Sequence, residues 1–77
     1  MALKREELDL HGYTVSAAEK VFHQFLDRSR LRKRLIEVHF ITGTGKIQSR
    51  FVELAIEHEL YHYRPLNNVG VIVVEFE

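Results

Sequence analysis

Two apolar stretches joined by one long amphipathic run decide most of what this chain can fold into. Leu8 and Leu10 alternate with Asp9 and stop at Gly12, while Leu35 to Ile41 is apolar except for Glu37 and His39. Between them Thr14 is a good helix N-cap, and Ala18, Val21, Phe22, Phe25 and Leu26 recur at the spacing of one helical face, a pattern that extends loosely to Leu31. The periodicity predicts a helix over about residues 15 to 33, with Glu19, Lys20, His23, Asp27 and Arg30 mainly on the wet side. A helix joining two neighbouring strands of one sheet leaves them parallel, with a right-handed crossover. The expected class is therefore α/β.

The remainder extends that pattern. Ile47, Phe51, Leu54 and Ala55 mark a second helix ending near Glu59. A short strand at Tyr61 to Tyr63, a turn over Arg64 to Asn68 and a strand over Val71 to Phe76 follow, giving the order β-α-β-α-β-β. Met1 to Glu7 is polar and without periodicity, so it is expected to be a flexible lead, and it is compatible with a piece cut from a larger protein. Residues 8–77 then make one small domain. The chain has no cysteine, so burial and backbone hydrogen bonds must hold it, which fits a reducing cytoplasm. No apolar run approaches the roughly 20 residues that cross a bilayer, and the N-terminus lacks the apolar stretch of a signal peptide. The expectation is a cytoplasmic domain with no membrane partner, its oligomeric state open.

The formal net charge is zero, but the charge is unevenly placed. Between residues 28 and 50, Arg28, Arg30, Arg32, Lys33, Arg34, Lys46 and Arg50 face Glu37 alone. Such an excess can steer a polyanion even in a neutral molecule. For Arg28 to Arg34 a solvated helix end, with cations favoured by the macrodipole, is an equally good account.

Chemistry concentrates where the two strands end. His11 can take or give a proton near neutral pH, and a nearby carboxylate such as Asp9 can fix its tautomer, while Gly12 permits a sharp turn. A lone Asp-x-His-Gly string is as readily a strand-edge acid, a turn imidazole and a bend. No second carboxylate accompanies Asp9 to build a two-metal site. Thr42-Gly43-Thr44-Gly45-Lys46 could present backbone N–H groups to a phosphate, with the following helix N-terminus adding positive potential. It is not the triphosphate-binding loop, which needs Gly where Phe40 stands and Ser or Thr where Ile47 stands. A tight strand-to-helix turn is the plain alternative. His58 and His62 lie four apart without an evident third ligand, so neither a metal nor a cofactor is called for. His23 and His39 read as surface or sheet-face residues. Tyr61 and Tyr63 could stack bases or simply pack the sheet.

Leu8-Asp9-Leu10-His11-Gly12, a helix, and an apolar strand ending in Thr42-Gly43-Thr44-Gly45 together resemble the small MutS-related (Smr) domain, whose signatures are an L-D-x-H-G motif and a later H/T-G-x-G motif. The likeness runs from Leu8 to Phe76. It implies a two-layer α/β sandwich like the C-terminal domain of a bacterial translation initiation factor, with nucleic-acid binding and often endonuclease activity on DNA or RNA. By position, Asp9 and His11 match residues implicated in cleavage, Thr42 fills the His-or-Thr position, Gly43 and Gly45 match the second motif's glycines, and Arg50 falls where the family often has an arginine. Asn67-Asn68-Val69-Gly70 stands where members commonly show a glycine-rich turn.

The expected function is binding of RNA, or of branched or structured DNA, with endonuclease activity slightly favouring RNA. His11 is the expected general acid or base and Asp9 its orienting group. Gly12, Thr42, Gly43, Thr44, Gly45 and Lys46 would hold phosphate, and Arg50 with Arg32, Lys33 and Arg34 would follow the backbone. A non-catalytic nucleic-acid-binding module and a protein-interaction domain are the alternatives.

Overall fold

A computed structural model describes residues 4–77. The elements are β1 (Lys4–Asp9), α1 (Val15–Arg32), β2 (Ile36–Ile41), α2 (Lys46–Glu57), β3 (His62–Tyr63) and β4 (Val71–Phe76). They form a four-stranded mixed sheet in the order β1-β2-β4-β3. β1 and β2 are parallel, as a helical connection requires, while β4 runs antiparallel to both β2 and β3.

α1 starts where Thr14 accepts a hydrogen bond from the Ala17 N–H at 3.1 Å. It ends at Lys33, whose left-handed backbone (φ 51°) lets the Arg34 N–H reach the Ser29 carbonyl at 3.1 Å. Closures of this kind satisfy helix carbonyls and usually use glycine. Ala18, Phe22, Leu26 and Ser29 form the buried stripe, with Val21 and Phe25 half-buried against it. Leu31 lies off this stripe and is 85% exposed, so the buried stripe ends at Ser29 and its last apolar member is Leu26.

The core is aromatic and sits between the helices and one sheet face. All five phenylalanines of the chain take part. Phe22 of α1 meets Phe51 of α2 at 5.2 Å and Phe76 of β4 at 4.9 Å, and Phe40 of β2 meets Phe51 at 4.8 Å. These mostly edge-to-face contacts place both helices on the same face, making two layers. By strand alternation and register the other face carries Arg5, Glu7 and Asp9 on β1, Glu37, His39 and Ile41 on β2, and Val71, Val73 and Glu75 on β4, with Tyr63 opposite Val73.

The expected flexible lead requires correction. Met1 to Leu3 lie outside the described residues, but Lys4 to Glu7 belong to β1 in register with Ile36 to His39. Charged side chains do not prevent pairing here, because each has a partner or faces solvent. Arg5 pairs with Glu37, and Glu6, on the helix side, pairs with Arg28 of α1.

Candidate functional site

β1 and β2 end side by side, and the two glycine loops leave from their carboxyl ends. The Leu10 N–H donates to the Ile41 carbonyl at 3.0 Å, so the pairing persists one residue beyond the strand before the loops separate. Gly12 (φ 82°) and Gly43 (φ 71°) both adopt the left-handed conformation, which lets each loop turn immediately. Open α/β sheets bind ligands at such strand ends.

In the first loop Asp9 accepts a hydrogen bond from the His11 main-chain N–H at 2.8 Å. The carboxylate thus fixes the backbone on which the imidazole is mounted and is not bonded to the ring, which differs from the orienting contact expected. Leu10 is buried beneath the loop, the Tyr13 N–H donates to its carbonyl at 3.0 Å, and His11 is exposed. Among the described residues its ring has no hydrogen-bond partner.

The second loop is tied to the turn before β4. The Thr42 and Gly43 N–H groups both donate to the Gly70 carbonyl at 2.9 Å, and the Thr42 hydroxyl donates to the Gly43 carbonyl at 2.7 Å. The Gly43 amide is therefore engaged. Those of Thr44 and Gly45 meet no acceptor among the described residues, and Gly45 caps α2 with no side-chain bond. The free donors lie at Thr44 and beyond, running into the α2 N-terminus, beside exposed Lys46.

Gln48 holds this arrangement together. It is 4% exposed in the first turns of α2, and its amide nitrogen donates to the Val69 carbonyl at 2.7 Å and approaches the Thr42 hydroxyl at 3.4 Å. Its amide oxygen receives Arg64 Nη1 at 3.4 Å. Neither residue stands out in a charge or glycine pattern. A signal existed, since Gln48 shares the helical spacing of Phe51 and Ala55, a polar residue on an apolar face.

The basic residues do not converge. Arg50 Nε bonds Glu19 at 2.6 Å, and Nη1 lies 3.1 Å from Glu53 and 3.9 Å from Glu57. The Glu19 hydrogen bond, followed by that of Glu53, raises the guanidinium pKa above its ordinary value. One cation among three carboxylates gives a locally negative surface. Arg32, Lys33 and Arg34 are exposed at the C-terminal end of α1, opposite the glycine loops, because α1 begins beside the first loop and runs back along the sheet. Arg28 pairs with Glu6 and lies 4.7 Å over the Phe25 ring.

His58 caps the end of α2, 5.8 Å from the His23 ring, whereas His62 is on β3, and among the described residues no three acidic or imidazole side chains gather as a metal site. No helix among them is long and apolar enough to cross a membrane.

The fold is thus a mixed-sheet α/β domain whose paired glycine loops, at the ends of parallel strands, bring unpaired N–H donors and an exposed imidazole to one edge. The chain belongs to the Smr domain family, whose model matches residues 8–77. Smr domains are in general nucleic-acid-binding, endonuclease-type domains. Comparison with curated proteins and with solved structures returns no significant match.

Proposed function

We propose that this domain binds nucleic acid across the two strand-end loops and cleaves a phosphodiester bond of RNA there, in a cytoplasmic setting. The observation that carries the reading is the exposed, unpartnered His11 imidazole on a turn braced by Asp9, next to a loop with free N–H donors.

RNA supplies its own nucleophile. The 2′-hydroxyl attacks the adjacent phosphorus and the 5′-oxygen leaves, giving a 2′,3′-cyclic phosphate and a 5′-hydroxyl. His11 accepts the 2′ proton or delivers one to the leaving oxygen. The Thr44 and Gly45 amides and Lys46 hold the phosphate oxygens as charge develops. Asp9 acts through the backbone, keeping the His11 turn closed.

The test is incubation of labelled RNA hairpins and supercoiled plasmid with the wild type and with His11→Ala. RNA cleavage should persist in EDTA, leave a cyclic phosphate, and fall by about a hundredfold or more in the variant while binding is kept. Nicking of DNA that requires added Mg²⁺ or Mn²⁺ would overturn the mechanism. A binding-only role is the second reading, favoured by Thr42, whose hydroxyl is tied to backbone carbonyls and leaves no second proton-transfer group in the loop. Salt-sensitive binding without any cutting would select it.

A further inference from the structure

Beside the second glycine loop, a cleft between α2 and the β3 edge is lined by Gln48, Ser49, Val52, His62, Tyr63 and Arg64. Its volume of about 430 Å³ is of the size that small ligands occupy. No carboxylate lines it. Arg64 is exposed and forms no ion pair among the described residues, its one side-chain partner being the neutral amide of Gln48 at 3.4 Å. A guanidinium carries five donors, so most remain available. His62, whose strand neighbour Val74 points into the core, lies on the helix side of β3 with its Nδ1 3.1 Å from the Leu60 carbonyl.

We infer that this cleft is a second phosphate subsite, in which Arg64 grips a phosphodiester of the bound strand next to the one held at the glycine loop. The inference rests on the nucleic-acid reading above and assigns the flanking strand a direction, over α2 toward β3. Two features favour Arg64 over Arg50 for this contact. Arg50 is surrounded by Glu19, Glu53 and Glu57, which repel a polyanion, whereas Arg64 stands in a cleft of neutral and imidazole side chains. Gln48, which also bonds Val69 and approaches Thr42, couples the position of Arg64 to the shape of the loop. Gln48 is thus a positioning residue and Arg64 a binding residue. Planar, permanently charged guanidinium is well suited to phosphate oxygens.

The experiment measures equilibrium binding of one labelled single-stranded sequence, as RNA and as DNA, over a series of salt concentrations. Arg64→Gln should weaken binding of the RNA about three- to tenfold and lower the salt slope by about 0.7, the value of one phosphate contact on a single strand. Gln48→Glu places a carboxylate against Arg64 in the same shape, and should reproduce that loss. Because Gln48 also donates to Val69, Arg64→Gln at an exposed position is the variant least dependent on folding, and thermal melting of each variant checks it. Equal effects on RNA and DNA would assign the subsite to the shared phosphodiester, and an effect on RNA alone would assign it to the ribose strand. Both support the subsite. A wild type that binds RNA with a salt slope unchanged in Arg64→Gln overturns the subsite and leaves the function reading standing. Absence of salt-dependent binding by the wild type overturns both.

Discussion

Glu37 lies on the sheet's open face, 7% exposed, with Arg5 Nε at 2.7 Å and His39 Nε2 at 3.0 Å. The His39 hydrogen bond, aided by the charge and hydrogen bond of Arg5, holds its carboxyl below the ordinary value, while burial opposes them. Glu75 is its cross-strand neighbour on β4, and Glu7 is that of His39 on β1. A carboxyl depressed in the folded state contributes stability that is complete above its unfolded-state pKa and lost as pH falls through the folded-state value. Glu37→Gln should therefore be less stable than wild type near neutrality, and the gap should narrow as the medium is acidified below the ordinary value of 4.5. Urea titrations at several pH values read this, and parallel curves would show that the pairing has no such effect. At this scale the sequence was informative about position and silent about partners. Alternation and a glycine located Asp9 and His11 at a strand end. That Asp9 bonds the His11 main chain, and that Arg50 meets Glu19 from thirty-one positions away, depends on loop closure and on how α1 packs against α2.

Among the elements, α1 depends most visibly on one residue. Phe22 is fully buried and its ring touches Phe51 and Phe76, so it joins α1 to α2 and to β4. Phe22→Ala should cost about 3 kcal/mol or more. Small domains have about 5 kcal/mol or somewhat more to lose, so the variant should melt far below the wild type or fail to fold. A midpoint within a few degrees would place the ring outside the cooperative core. Thr14→Ala, which removes the N-cap bond to Ala17, should cost only about 1 kcal/mol. The start of α1 was legible because a capping residue and apolar spacing are local signals, and that of α2 from its apolar spacing alone. The start of β1 was not, because Lys4 to Glu7 are strand only by pairing with β2 and through ion pairs to Glu37 and Arg28. The end of α1 was legible to within a residue from where the apolar spacing fades, although a lysine takes the left-handed position where glycine is usual. The placement of β4 between β2 and β3 is a long-range pairing that no local pattern encodes.

Across the described residues, which measure 33 × 27 × 20 Å, positive charge collects at two separated places. Lys46 and Arg64 flank the loop edge, and Arg32, Lys33 and Arg34 stand at the far end of α1. A helix of that length spans about 27 Å. In a DNA duplex base pairs advance about 3.4 Å each, so a duplex of that form must extend for about eight of them to touch both places, and the more compact RNA duplex for somewhat more. If the far cluster follows a phosphate backbone, its contribution should depend on substrate length. The variant Arg32→Gln, Lys33→Asn, Arg34→Gln keeps a residue at position 33 that tolerates the left-handed conformation. Its salt slope on a long stem should fall by up to about three contacts. On a stem of about five base pairs, confined to the loop edge, its slope should match the wild type. Equal slopes on both lengths would leave the cluster as a solvated helix end whose cations favour the macrodipole. Equal losses on both lengths would mean that even short substrates approach the far end of α1, and the binding surface would then have to be redrawn along the helix.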